Sequence, residues 1–81
     1  MARVTIYGKP GCHLCDDARA VVHAVTGPRG VAVEEVDVSV DPELHNSYGE
    51  RIPVVAVDGE VLFEYIVDPG VLQERLDRVG A

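Results

Sequence analysis

Residues 5–22 read TIYGKPGCHLCDDARAVV, and they hold both cysteines of the chain, Cys12 and Cys15, three positions apart. Upstream, residues 3–7 alternate, with Val4 and Ile6 on one face and Thr5 and Tyr7 on the other, which is the period of a strand. Gly8, Lys9, Pro10 and Gly11 break that period. From Cys12 onward, Cys15, Ala18, Val22 and Val25 recur at spacings of three and four, while Asp16, Asp17, Arg19 and His23 take the other faces. The pattern predicts an amphipathic helix that closes near Gly27-Pro28.

Residues 31–38, VAVEEVDV, predict a second strand, and the charges at Glu34, Glu35 and Asp37 suit the edge of a sheet. Strand, helix, strand makes a right-handed parallel crossover. In DPELHNSYG, residues 41–49, Asp41 is the N-cap of a short helix, Pro42 its first residue and Gly49 its terminator. Residues 52–67, IPVVAVDGEVLFEYIV, predict a hairpin whose strands are joined by a tight primed turn at Asp58-Gly59. Asp68 and Pro69 repeat the cap-then-proline signal before a last helix, with Leu72, Leu76 and Val79 as its core stripe. The expected order is βαβαββα, an α/β fold with a four-stranded mixed sheet flanked by helices. With 81 residues, no repeat and no linker, residues 1–81 are expected to form a single domain.

The chain is 47% hydrophobic and 26% charged, a globular composition. Fourteen acidic side chains against seven basic ones give a net charge of −7, which repels phosphate backbones and argues against nucleic acid or an anionic membrane as partner. The apolar run before Gly8 is too brief for the centre of a secretory signal, and no stretch approaches a membrane span. A cytoplasmic protein is expected. In that reducing setting, closely paired cysteines point to redox chemistry or metal rather than to a structural staple.

A strand feeding a loop feeding a helix places Cys12 at a helix N-terminus, where unpaired N–H groups and the helix dipole favour an anion. The thiolate is the nucleophile of disulfide exchange, and this setting lowers a cysteine pKa. A fall from about 8.5 to about 6 raises the ionised share at neutral pH from a few per cent to roughly 90%. Cys15, one turn on, is close enough to attack the mixed intermediate and expel the product thiol. A closed zinc site needs four ligands, and beyond the two cysteines the soft candidates are His13, His23 and His45, none at a convincing spacing. His23 and His45 read as solvated side chains.

The combination of YGKPGCHLC after the first strand, RIPVV opening the third, the VDG turn and the closing helix resembles the glutaredoxin family of the thioredoxin fold over nearly the whole chain. The resemblance implies a thiol–disulfide oxidoreductase acting on protein or small-molecule disulfides, with Cys12 as nucleophile and Cys15 as resolving thiol. It implies a cis peptide bond before Pro53, close to the cysteines, and an Ile52 backbone that pairs with an extended substrate. Lys9 matches a basic position used by the family for a glutathione carboxylate. No bound cofactor or metal is implied, with glutathione or another thiol as reductant. The implied partners are a disulfide-containing protein or low-molecular-weight thiol and a thioredoxin-reductase-like enzyme, and the expected state is a monomer.

The chain departs from that pattern at two places. His13 and Leu14 stand where the family commonly has proline and an aromatic, and imidazolium at His13 would favour the Cys12 thiolate against Asp16 and Asp17. Phe63 and Glu64 stand where many members have two glycines, so they are expected to obstruct glutathione and, through Glu64, to repel an anionic ligand. The alternative is a non-catalytic thioredoxin-fold module that binds metal, as zinc or an iron–sulfur cluster, or a protein partner.

Overall fold

In the computed structural model, which describes residues 2–80, the elements follow the expected order. They are β1 (Arg3–Gly8), α1 (His13–Thr26), β2 (Ala32–Asp37), α2 (Pro42–Tyr48), β3 (Val54–Val57), β4 (Glu60–Glu64) and α3 (Pro69–Arg78). The sheet runs β2-β1-β3-β4, with β1 parallel to β2 and antiparallel to β3. Glu34 and Glu35 therefore lie on an edge strand, where exposed charge blocks further pairing. All four residues of β3 are buried, as a strand covered on both faces requires.

The main core fills one face of the sheet. Val4 and Ile6 of β1 and Val55 and Val57 of β3 pack with Ala18, Val22 and Val25 of α1 and with Leu72 and Leu76 of α3. Each fully buried Val, Leu or Ile in this set contributes about 1.5–3 kcal/mol. Thr26, the one buried polar residue among those described, donates its hydroxyl to the Val22 carbonyl at 2.8 Å. On the opposite face, Tyr7 of β1 stacks on Tyr48 of α2 with ring centroids 4.6 Å apart, which fixes the short second helix there.

The β3–β4 turn has Asp58 at φ 51° and Gly59 at φ 85°, the left-handed pair of a primed hairpin. Asp58 Oδ1 also accepts the Arg3 N–H at 2.8 Å, tying the hairpin to the start of β1. Val54 pairs with Glu64 and Val55 with Phe63, but Ala56 pairs with Val61, so Leu62 is an extra residue in β4. This bulge was not legible in the sequence.

Two expectations are corrected. Val79 does not complete the α3 stripe: the helix ends at Arg78, and Val79 is its half-exposed C-cap, turned out of helical geometry. The second strand ends at Asp37 rather than residue 38, because Asp37 Oδ1 accepts the Ser39 N–H at 2.8 Å and bends the chain into a 3-10 turn over Val38–Val40. That bend sends Val38 inward, beneath the cysteines.

Candidate active site

A second, smaller cluster lies at the end of the sheet where β1 and β2 finish. Cys15, Val38 and Ile52 are its buried members, with Tyr7, Cys12, Leu44 and Tyr48 packed against them. Five segments meet here: the end of β1, the start of α1, the turn after β2, α2, and the loop that enters β3. The glycine-rich approach explains the first junction. Gly11 takes φ 76°, a left-handed value that glycine adopts without steric cost, and the chain turns there from strand to helix.

Cys12 is the N-cap of α1. Its backbone is extended, its carbonyl accepts the Asp16 N–H at 3.1 Å, and its Sγ accepts the Cys15 N–H at 3.1 Å. The sulfur thus occupies the position that an Asp or Ser oxygen fills in an ordinary cap. Cys12 and Cys15 are joined as a disulfide, with Cα atoms 5.2 Å apart. Their exposure differs: Cys12 is partly open to solvent, whereas Cys15 is fully buried. Of the pair, Cys12 is the member that meets solvent.

The peptide bond between Ile52 and Pro53 is cis, and Ile52 belongs to the same buried cluster as Cys15. Among the described residues, the Ile52 main chain makes no hydrogen bond. The loop that carries it is held from the end of β4. Tyr65 donates its N–H to the Pro53 carbonyl at 2.8 Å and its hydroxyl to the Glu50 carbonyl at 2.9 Å, while Glu64 pairs with Arg51 at 3.5 Å. Arg51 also lies over the Tyr48 ring, 5.3 Å from its centroid, within cation–π range. Tyr65 makes these bonds from φ 69°, unusual for a side chain of its size, so two tertiary hydrogen bonds hold a backbone shape that glycine would adopt freely.

The charges around Cys12 are arranged more neutrally than their sequence count suggests. Asp16, in the first turn of α1, is paired with Arg19 at 2.8 Å, and Arg19 also hydrogen-bonds Glu35 of β2. The Arg19 guanidinium holds the Glu35 carboxyl below its ordinary range, with His23 at 3.5 Å acting in the same direction. Lys9 is exposed, makes no ion pair among the described residues, and lines a groove of about 330 Å³ with Asp16, Arg19, Glu35 and Asp37. His13 is exposed on the first turn of α1. The pKa of Tyr7 is raised, first by burial and then by its neighbour Tyr48.

The structure therefore brings Cys12, Cys15 and Ile52 into one cluster, with Pro53 next in the chain, and leaves His13 and Lys9 on the rim. Phe63 is half-buried and packs against the main core. Glu64 is exposed but faces the Arg51 cation, so its charge is not left unbalanced beside the cysteines. No group of three or more His, Cys, Asp or Glu side chains among the described residues is placed to hold a metal ion, and no described helix is long and apolar enough to cross a membrane.

Residues 3–78 match the sequence pattern of the glutaredoxin-like domain (DUF836) family. The chain belongs to this family. A structural-genomics target protein from X. campestris has the same fold at a TM-score of 0.76 and 29% identity, over 93% of this chain and 96% of that one. A mutant thioredoxin from Halobacterium salinarum aligns at a TM-score of 0.69 and 23% identity over 95% of this chain and 73% of its own, which places the sheet and helices in the thioredoxin fold. A mutant alkylhydroperoxide reductase component from Enterococcus faecalis aligns at a TM-score of 0.72 and 25% identity, over 93% of this chain and 37% of that one. Among curated proteins, none matches.

A glutaredoxin-like domain with a C-x-x-C pair at the start of its first helix has the parts for redox-type function. The residues that sequence reasoning missed are those that shape the loop before Pro53: Tyr65, Arg51 and Tyr48. Their signal lies in tertiary contacts, since Tyr65 reaches Glu50 across 15 residues.

Proposed function

We propose that this protein is a thiol–disulfide oxidoreductase that reduces protein or small-molecule disulfides through the Cys12–Cys15 dithiol. The observation that carries the reading is the asymmetry of the pair, an accessible sulfur at a helix N-cap bonded to a sealed one. Likeness to part of a reductase component, at 25% identity, supports it.

In the reduced protein the Cys12 thiolate accepts the Cys15 N–H and is favoured by the helix dipole. It attacks a substrate disulfide, forms a mixed disulfide and expels one substrate thiolate. Cys15, after losing its proton, attacks the Cys12 sulfur, forms the bond present in this structure and releases the second substrate thiolate. Two electrons pass to the substrate, and a low-molecular-weight thiol such as glutathione, or a thioredoxin-reductase-like enzyme, returns them to the pair. The unpaired Ile52 main chain, beside the cysteines in the cis-proline loop, is suited to hold an extended segment of the substrate. Lys9 supplies positive charge on the rim, and His13 lies exposed on the first turn of α1.

Reduction of a protein disulfide and of a glutathione mixed disulfide, measured side by side with a dithiol as electron source, tests the reading. Turnover of at least one is expected, and it disappears in Cys12→Ser. Failure to reduce either substrate, or a Cys12→Ser protein that remains active, overturns it. Preference for the glutathione substrate would show that Glu64 and the Tyr65 loop leave room for that ligand.

A further inference from the structure

A side chain is missing where the site is tightest. Gly8 ends β1, paired with Asp37 of β2, and its φ lies outside the left-handed region, so its backbone conformation does not call for glycine. The space does. A Cβ on Gly8 would lie 3.0 Å from Cys15 Sγ and 3.3 Å from Cys15 Cβ. Both distances fall inside the about 3.5–4.0 Å of an unstrained carbon contact.

We propose that Gly8 is a positioning residue for the resolving thiol: by omitting a side chain, it lets Cys15 Sγ sit against the end of β1, in the place from which it bonds Cys12. The proposal rests on the dithiol reading above and specifies the step that Gly8 governs. In the disulfide, Cys15 Sγ is tethered to Cys12 and enclosed in the cluster of Val38 and Ile52, so it has little room to move away from an added methyl group. In the dithiol, the same sulfur is no longer tethered to Cys12 and is free of the torsional restraint that the bond sets, so other staggered χ1 positions open to it. A methyl group at residue 8 therefore disfavours the bonded form, and the approach to it, relative to the free thiols. The initial attack by Cys12 does not require Cys15 Sγ to occupy that place.

In the affected step the Cys15 thiolate, its proton passed to solvent, forms a bond to Cys12 Sγ; the bond between Cys12 and the substrate sulfur breaks, and the departing substrate thiolate takes up a proton. The cysteine pair loses two electrons and the substrate gains them.

Single-turnover reaction with a protein disulfide, quenched with acid and followed by mass spectrometry, separates the two steps. In Gly8→Ala, formation of the mixed disulfide on Cys12 should stay within about twofold of wild type, while its resolution slows by about tenfold. Equilibration against a dithiol buffer should show the pair shifted about tenfold toward the dithiol, about 30 mV for a two-electron couple. In a Cys15→Ser background, Gly8→Ala should leave the attack rate unchanged. Gly27→Ala is the control, because Gly27 has helical φ and no atom within 4 Å of its would-be Cβ.

Resolution rate and equilibrium both unchanged in Gly8→Ala would overturn the role of Gly8 alone. No mixed disulfide on Cys12 in the Cys15→Ser protein would overturn the dithiol reading, and the role of Gly8 with it. If Gly8→Ala does not fold, the Gly8→Ala/Cys15→Ala double variant, which lacks the sulfur at 3.0 Å and keeps only the looser 3.3 Å contact with the residue 15 Cβ, should fold; a double variant that stays unfolded overturns the proposal.

Discussion

At the start of α3, Asp68 Oδ1 accepts the Gly70 N–H at 2.9 Å and the Val71 N–H at 3.2 Å; at the start of α1 the acceptor is Cys12 Sγ, 3.1 Å from the Cys15 N–H. Asp41 caps α2 in the same way as Asp68, and both acids are followed by proline at the first helical position. Two helices thus meet their N-terminal donors with a carboxylate oxygen. The third meets them with a sulfur, neutral in the disulfide and anionic when the thiol is reduced and ionised. The same helix-end field that fixes Asp41 and Asp68 as structural caps makes Cys12 a cap whose charge depends on its redox state. A sulfur is a weaker acceptor than a carboxylate, so α1 gives up some stability at the position where the proposed chemistry needs a thiolate.

Making Cys12 resemble Asp68 is the sharpest way to break this contrast. Cys12→Asp should lower the rate of disulfide reduction by about a thousandfold or more, as loss of a nucleophile does. Its urea midpoint should nonetheless correspond to about 1 kcal/mol more stability than that of Cys12→Ala, because the carboxylate satisfies the same donor. Equal stability of the two variants would mean that residue 12 does not act as a cap. The single variant Cys15→Ser, by contrast, should keep the first attack and accumulate substrate bound to Cys12, read as an added mass that dithiol removes.

The reverse experiment acts on the structural cap. Asp68→Ala should destabilise the protein by about 1 kcal/mol and lower Tm by about 4–8 °C, without altering reduction kinetics at a temperature where the protein remains folded. A change in those kinetics would show that α3 is coupled to the site, against a separation of roles between the structural and the reactive cap.

The legible parts of the molecule are those fixed by neighbours in sequence. Asp41-Pro42 and Asp68-Pro69 mark helix starts because cap and first residue are adjacent, and Asp58-Gly59 marks its turn because both positions need left-handed φ. The spacing from Cys15 to Val25 names the buried face of α1 and, with it, the exposed end at Cys12. What was hidden depends on distant partners. Strict alternation along β4 would put Leu62 and Phe63 on opposite faces, yet the bulge at Leu62 lets both pack against the main core. Tyr65 could not be read as a support for the cis-proline loop, because its φ of 69° makes sense only with Glu50 and Pro53 in place. Val79 continued the α3 period on paper, but the helix ended one residue before it.

The smallest expected effect concerns the charges that flank the two caps. The first turn of α3 carries no acid, whereas that of α1 carries Asp16, held by Arg19, which is held in turn by Glu35. Glu35 has its pKa lowered chiefly by the hydrogen bond from Arg19, against the opposing effect of desolvation. A depressed carboxyl contributes stability that is present above its unfolded pKa, about 4.3, and is lost as pH falls through the lower folded value. Both partners are well exposed, so the contribution is about 0.2–1 kcal/mol at neutral pH. Glu35→Gln should therefore melt slightly below wild type at pH 7, with the gap closing as pH drops below about 4.3. Added salt at pH 7 should narrow it as well, since exposed ion pairs are screened. A gap that persists unchanged at low pH would mean that Glu35 supports the fold through its shape rather than its charge, and that α1 does not depend on this ion pair to balance the acid beside its sulfur cap.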